Sequence, residues 1–127
     1  MAVTLKRWHE FVKAPNEQIL HEILHDEARF FSPFVWKPKD KAAGVQILLA
    51  VVEVFEDFHY TRELTNVNSC ALEFAARIGE ISLEGMDLIE FHAAGQIIEL
   101  KVMIRPANAL QSLGTEMGKR LAAKGYE

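Results

Sequence analysis

Four consecutive stretches in the second half of the sequence alternate apolar and polar residues, and short turns separate them. The stretches run from Phe58 to Asn66, Cys70 to Ile78, Ser82 to His92 and Gln96 to Arg105. A period of two residues is typical of β-strands that bury one face. Because turns this short join antiparallel neighbours, the pattern predicts a sheet with one apolar face that helices must cover.

Apolar residues at helical spacing dominate the first half. A first amphipathic segment with Leu5, Trp8, Phe11 and Val12 ends near Pro15, because proline cannot continue a helix. Asn16 can cap a second, short helix. Asp40 can cap a third helix that runs through Glu56, and the nearly continuous apolar run in this segment predicts a buried element. Between the second and third helices, Ala28 to Pro33 indicates a short strand.

The chain ends in a further helical pattern. Pro106 fits the first turn of a last helix, whose apolar stripe is Leu110, Leu113, Met117 and Leu121. The predicted order is therefore ααβαββββα. This segregation of helices and strands predicts an α+β fold with helices packed on one face of an antiparallel sheet. The length of 127 residues predicts one domain over residues 1–127.

The two faces of the predicted strands differ in polarity. The apolar face carries Leu72, Phe74, Ala76 and Ile78 on one strand and Ile98, Leu100, Val102 and Ile104 on the last strand. The opposite face is mixed, but it still includes Leu88, Ile97 and Met103. A half-apolar sheet face is often buried against a second subunit, so we expect a homodimer that forms through the outer face of the sheet.

Composition narrows the classes of partner. With 14 basic and 18 acidic residues, the net charge is −4, and dispersed Lys and Arg argue against nucleic-acid binding. No apolar run reaches about 18 residues, so we expect no membrane partner. The basic run from Lys37 to Lys41 is interpreted as a solvated loop. The absence of a signal-peptide pattern, with Cys70 as the only cysteine, favours a cytoplasmic protein.

The stretch from His21 to His25 spells HEILH, a pattern in which two histidines one helical turn apart bind zinc and the glutamate acts as a base. A zinc site needs both histidines directed at one cavity together with a third ligand. On a helical wheel both histidines lie opposite the apolar stripe, towards water. No third ligand follows at a recognisable spacing. Surface histidines are therefore the favoured interpretation, we expect no metal, and a zinc hydrolase stays a remote alternative.

Two segments carry a family resemblance. LEGMDLIEFHAAGQIIELKVMIRPANAL, from Leu83 to Leu110, joins a Gly-x-Asp strand to an Ile-x-Glu strand through a glycine turn, and Arg-Pro then opens the last helix. LHDEARFFSP, from Leu24 to Pro33, adds a first-strand segment. In this order the chain resembles the nuclear transport factor 2-like superfamily, in its SnoaL-like branch, over nearly its whole length. The resemblance implies a cone-shaped, cystatin-like fold whose curved antiparallel sheet wraps around helices, with a pocket at the open end.

Within that superfamily, ketosteroid isomerase needs an aspartate base, and it uses a tyrosine and a protonated aspartic acid as its oxyanion hole. In the aligned sequences its tyrosine falls at Trp8, its base at Ser32 and its acid at Asp87. Serine cannot act as a general base unaided. The resemblance therefore implies Asp87 as a candidate catalytic acid, with Trp8 and Ser32 positioning a ligand, and predicts no ketosteroid isomerase activity of that kind.

If Asp87 points into the cone, as the resemblance implies, its neighbours are apolar, and loss of hydration raises its pKa. The expected pocket residues are Trp8, Ser32, Phe55, Tyr60, Leu72, Phe74, Ile89, Leu100, Val102 and Ile104. Two roles stay open for the acid. It donates a proton or hydrogen bond to a ligand carbonyl, or it is a structural group bonded to the Trp8 N–H or a backbone amide.

The expected function is binding of a small, mostly apolar molecule that bears a carbonyl or hydroxyl group, without a cofactor. As an enzyme, such a protein would perform acid–base chemistry such as isomerisation, cyclisation or dehydration. A non-catalytic ligand-binding or protein-interaction module of the same fold is the alternative. The sequence leaves open whether the chain is an enzyme, because fold does not settle function.

Overall fold

The second and third helices begin where the sequence places their caps. The computed structural model describes residues 1–125, with helices α1 (Ala2–Lys13), α2 (Glu17–Ile23), α3 (Lys41–Val54) and α4 (Ala107–Ala123). Asn16 Oδ1 accepts a hydrogen bond from the Gln18 N–H at 2.8 Å, and Asp40 Oδ1 accepts one from the Ala43 N–H at 3.0 Å. These bonds satisfy backbone donors that the first helical turn leaves free. None of the described helices is long and apolar enough to cross a membrane.

Five strands form one curved sheet against which the helices pack. They are β1 (Leu24–Phe31), β2 (Glu56–Thr65), β3 (Ser69–Ile78), β4 (Ile81–Phe91) and β5 (Ile97–Arg105). The spatial order is β1-β5-β4-β3-β2. The predicted α+β class and the order ααβαββββα are confirmed.

The sheet is antiparallel from β2 to β5, but β1 pairs with β5 in parallel. The expectation of an antiparallel sheet therefore holds for the last four strands and fails at one edge. Short turns dictated the antiparallel pairs, whereas β1 joins the sheet across most of the chain. Its direction depends on tertiary packing that turn lengths do not report.

A bulge at the start of β5 reverses the expected facing of its first residues. Glu90 pairs with Glu99, whereas Phe91 pairs with Ile97, so Ile98 is an extra residue in the ladder. Ile97 is fully buried and Ile98 is only partly buried. The prediction that Ile98 faces the core and Ile97 faces outward is wrong, because a bulge shifts the alternation of side chains by one residue.

The core consists of three groups of buried side chains. The largest joins α1, α2 and β1 to the inner face of the sheet. A second lies between α3 and α4, and a third lies between the sheet and the start of α4. Partly buried residues, among them Phe55, Tyr60, Val102 and Ile104, border more than one of these groups. A space remains where the groups meet.

Candidate functional site

A cavity of about 120 Å³ lies between the inner face of the sheet and helices α1, α3 and α4. Its wall is mainly aromatic and aliphatic. Four side chains bring polar atoms to it: Trp8, Ser32, Tyr60 and Asp87. Concave, mostly apolar sites with a few convergent polar groups are the usual form of small-molecule sites.

Most of the pocket residues expected from the sequence line this cavity. They are Trp8, Ser32, Phe55, Tyr60, Phe74, Asp87, Val102 and Ile104. Leu72, Ile89 and Leu100 do not, and they lie in the largest core group instead. The ladder explains the difference for two of them, because Ile89 pairs with Leu100 one inward-facing row beyond the row of Asp87 and Val102. That row packs against α1 and α2, whose apolar stripes fill the space.

Sequence reasoning missed the helical half of the wall. α3 contributes Ile47, Val51 and Val52, and α4 contributes Leu113 and Met117. The apolar run of α3 predicted a buried helix but not what each side of it would face. A helix that is apolar on nearly every side must cover more than one surface. Here one side packs into the core and another borders the cavity.

A chain of hydrogen bonds crosses the wall from α1 to β4. The Trp8 Nε1–H donates to the Tyr60 hydroxyl oxygen at 2.9 Å, and the Tyr60 hydroxyl donates to Asp87 Oδ2, also at 2.9 Å. The indole N–H can only donate, so it fixes the direction of the chain. In the structural role that the sequence left open, Asp87 bonds directly to the Trp8 N–H or to a backbone amide, whereas in the structure Tyr60 lies between Trp8 and Asp87.

The second carboxyl oxygen of Asp87 faces the cavity. The Tyr60 hydroxyl is the only hydrogen-bond partner of this carboxyl group within residues 1–125, and it uses Oδ2. No fully buried side-chain N or O atom of the described residues lacks a partner. Oδ1 must therefore contact open space, and the cavity that Asp87 lines supplies it. This oxygen is free to contact a ligand.

Burial gives this carboxyl group an unusual proton affinity. Asp87 is 7% exposed and is the one buried polar or charged side chain within residues 1–125. Loss of hydration raises the pKa of Asp87 from 3.8 to about 7, and the hydrogen bond from Tyr60 opposes that rise. Burial, followed by the nearby Asp87 charge, raises the pKa of the Tyr60 hydroxyl above its ordinary value. Tyr60 therefore stays protonated at neutral pH and serves as a donor.

Ser32 lines the cavity, and its hydroxyl oxygen already accepts one hydrogen bond. Its Oγ accepts a hydrogen bond from the Phe34 N–H at 3.0 Å, within the turn that follows β1. A hydroxyl group keeps its own hydrogen when its oxygen accepts. Ser32 can thus donate to an oxygen of a ligand, and no base lies next to it in the hydrogen-bonding pattern of the described residues.

The HEILH stretch does not form one helix. α2 ends at Ile23, and His25 lies in β1, where its ring stacks on His92 with centroids 4.5 Å apart. His21 Nε2 lies 3.0 Å from Glu17 Oε2. No group of three or more His, Cys, Asp or Glu within residues 1–125 could hold a metal ion. The helical-wheel placement of His25 was wrong, because the helix stops before it, and the stretch lacks the geometry of the zinc pattern.

Comparison with solved structures places this fold among known proteins. The chain is similar to a steroid delta-isomerase from Pseudomonas aeruginosa, with 43% identity, coverage of 97% of this chain and 92% of that chain, and a TM-score of 0.92. It is also similar to an uncharacterized protein with a cystatin-like fold from Silicibacter pomeroyi, with 30% identity, coverage of 94% and 85%, and a TM-score of 0.88.

A more distant likeness extends to a protein described as a SnoaL-like polyketide cyclase from a Jannaschia species, with 9% identity, coverage of 90% of each chain and a TM-score of 0.69. At that identity the likeness concerns the fold alone. No protein-family model matches the sequence, and a search of curated proteins finds no match.

Proposed function

The chain belongs to the nuclear transport factor 2-like superfamily, in its SnoaL-like branch, and on that premise we propose that it binds a small apolar carbonyl compound and transfers a proton within it through Asp87. The cavity-facing Oδ1 of a buried carboxyl group carries this proposal. The reaction class is a cofactor-independent isomerisation. Asp87 is the base in this proposal, whereas ketosteroid isomerase has its base at the position of Ser32, so the two schemes differ. Cyclisation and dehydration need the same kind of group.

A pKa of about 7 suits Asp87 to both halves of an isomerisation. A catalytic group works best when its pKa lies near the working pH, because both protonation states are then populated. The ionised carboxylate takes a proton from a carbon next to the ligand carbonyl, and the electron pair of that C–H bond moves towards the carbonyl oxygen. The protonated Asp87 then returns the proton to a different carbon of the same ligand.

The oxygen of the ligand needs a donor during this step, and Ser32 supports that role. Tyr60 donates to Asp87, and the Trp8 N–H donates to Tyr60, so both are occupied. The Ser32 hydroxyl hydrogen is not required by the turn, in which its oxygen only accepts. The carbonyl oxygen therefore points towards Ser32 in the proposed complex, and the reacting carbons lie against Asp87.

The size of the cavity limits the ligand. Its volume of about 120 Å³ is close to that of an engineered apolar cavity of about 150 Å³ that holds benzene. The buried part of the ligand is accordingly about one ring. Aromatic contacts narrow the space, since Phe74 lies 4.9 Å from Phe58 and 5.8 Å from Phe55 between ring centroids.

A simple test uses cyclohex-3-en-1-one, a one-ring β,γ-unsaturated ketone whose conjugated product is followed by ultraviolet absorption. The rate should rise with pH through about 7 as Asp87 ionises, and Asp87→Asn should reduce it to the background. Glu80→Gln, which removes an exposed carboxylate, is the matched control and should keep the rate. Turnover that persists in Asp87→Asn would contradict the proposal.

The alternative is a module that binds without turnover. One observation favours it: the strongest donors near Asp87 are consumed by the hydrogen-bonded chain, which leaves one hydroxyl for a developing oxyanion. A ligand that binds wild type and Asp87→Asn equally, with no reaction in either, would support this reading.

A further inference from the structure

The segment between β1 and α3, residues 32–40, exposes the most accessible large apolar side chain of the described residues. Trp36 is 97% exposed, and its neighbours Val35 and Phe34 are 49% and 42% exposed. We call this segment the mouth loop. A contiguous exposed patch of apolar side chains marks an interaction site more often than a single scattered residue does.

The mouth loop is held in place at its base. Phe30 and Lys39 exchange two backbone hydrogen bonds of 2.8 Å, which pinch its ends together. The Phe34 ring packs against α4 at Gly114, where an added Cβ would lie 3.2 Å from the ring. Pro33 and Pro38 further restrict the backbone. Trp36 therefore projects into solvent from a loop whose own contacts do not use it.

The base of the mouth loop also borders the cavity. Ser32, Pro33 and Phe34 all line it. A partner that engages the tip of the loop would therefore meet the protein beside the cavity.

The charge around this tip differs from that of the whole chain, which carries −4. Lys37 and Lys39 follow Trp36, and neither forms an ion pair with another described residue, whereas Lys41 contacts Asp26. The groove beside Phe34 is lined by uncharged residues of the first turns of α4, among them Asn108, Leu110 and Gln111. Asp40 at the end of the loop carries one negative charge, but its carboxylate caps α3. The two lysines next to Trp36 therefore make the tip of the loop basic in an acidic protein.

We propose that the mouth loop docks on an anionic lipid bilayer, with Trp36 at the headgroup level and Lys37 and Lys39 against the lipid charges. Tryptophan concentrates at membrane interfaces, and basic residues are attracted to anionic lipids. Small apolar molecules partition into bilayers, so docking places the cavity where they accumulate. This inference revises the sequence-based expectation that no membrane is a partner, and it holds whether or not the bound molecule is turned over.

The shape of the patch favours a bilayer over a protein partner. Stable protein interfaces bury about 1,200–2,000 Å² in total and need matched surfaces. The mouth loop offers one almost fully exposed aromatic side chain, Trp36, and the half-exposed Val35 beside it. A bilayer accepts such a tip without complementarity. With a single aromatic anchor and two lysines, the association is weak and reversible.

The test uses the full chain and vesicles of phosphatidylcholine, with or without phosphatidylserine. A change in tryptophan fluorescence on vesicle binding reports on Trp36, because the other tryptophan, Trp8, is only 3% exposed. We expect a blue shift of tryptophan fluorescence and co-sedimentation with the phosphatidylserine vesicles, both weakened by salt. Trp36→Ser should abolish co-sedimentation. Val67→Ser, which removes a side chain that is 93% exposed in the β2–β3 turn, should leave it unchanged.

Charge variants test the second half of the proposal. Replacing Lys37 and Lys39 by Gln should weaken vesicle binding roughly fivefold for each lysine. The same exchange at Lys6 and Lys13, which are exposed on α1, should have little effect. The proposal would be overturned if Trp36→Ser bound the vesicles as well as wild type does, or if wild type bound neither kind of vesicle. So would a fall in the native mass of Trp36→Ser, because that would make a second copy the occupant.

Discussion

The Tyr60 hydroxyl donates to one carboxyl oxygen of Asp87 at 2.9 Å and leaves the other oxygen facing the cavity. The two residues come from β2 and β4, on either side of β3. Tyr60 thus holds the carboxyl group in one orientation, and because no other described residue bonds to it, its second oxygen stays available. A structural aspartic acid would be expected to use both of its oxygens.

Removal of this hydrogen bond should raise the pKa of Asp87 above about 7. A donor stabilises the ionised carboxylate, so Tyr60→Phe removes an influence that lowers the pKa. Carboxyl ¹³C NMR titration would measure the change, and the midpoint of any pH–rate profile should move upward with it. Phe58→Leu, a change on the same strand that removes no hydrogen bond, is the control. An unchanged or lower pKa in Tyr60→Phe would contradict this assignment.

The raised pKa also predicts how stability depends on pH. The folded protein holds the Asp87 proton more tightly than the unfolded chain does. Its stability relative to Asp87→Asn is therefore greatest below pH about 4. It loses that stability as the pH rises to about 7. At 1.36 kcal/mol per pKa unit, the shift from 3.8 to about 7 corresponds to roughly 4 kcal/mol.

Urea unfolding of wild type and Asp87→Asn at several pH values would measure this difference. The two proteins should have similar unfolding free energies near pH 4, and the variant should be the more stable one at pH 8. The comparison cancels the opposite trend of surface carboxylates such as Glu22 and Glu73, whose pKa values are lowered by arginine partners. Equal stability at every pH would show that Asp87 keeps an ordinary pKa.

Gly85 makes room for the aromatic wall of the cavity. A Cβ added there would overlap the Phe74 ring and lie 2.7 Å from the Met103 carbonyl oxygen, so Phe74 would have to move. Gly85→Ala should lower the free energy of unfolding by about 1–3 kcal/mol and weaken ligand binding. Gly118→Ala is the control, because nothing lies within 4 Å of its added Cβ in α4. That change should stabilise the helix by about 0.5–1 kcal/mol.

We predict that the homodimer forms through the outer face of the sheet. Leu64, Leu88, Met86 and Met103 share this face in neighbouring rows of the ladder, and Leu64 and Met103 are 56% and 50% exposed. Met103→Glu places a charge in the proposed interface and should convert a dimer to a monomer in light scattering. Val67→Glu adds the same charge to the β2–β3 turn and should keep the dimer. A monomeric wild type would count against the prediction.

Sequence reasoning succeeded where structure is local. Asn16 and Asp40 cap the helices that they were expected to cap, because each bond spans two or three residues. The alternation in β3 also held, because its whole length pairs without a bulge on β4. Period and capping patterns carry this information within a short window.

The failures concern pairing between separate elements. The inward turn of Ile97 depends on a bulge that forms only against β4. The hydrogen bond between Tyr60 and Asp87 joins residues on strands that are not neighbours, so residue spacing in the sequence does not predict it. The resemblance located Asp87, but it gave no partner for the carboxyl group, and Tyr60 was expected only to line the pocket.

The direction of the hydrogen-bonded chain has a consequence for where a proton can travel. The hydrogen-bonded chain ends at the Trp8 indole N–H, which does not release its proton. The Tyr60 hydroxyl also keeps its proton at neutral pH. Asp87 is thus the acceptor end of this hydrogen-bonded chain, and in the proposed reaction a proton that it takes from a ligand cannot leave through Tyr60 and Trp8. A deuterium label removed from one carbon of a ligand should reappear on another carbon of the same molecule before solvent can replace it.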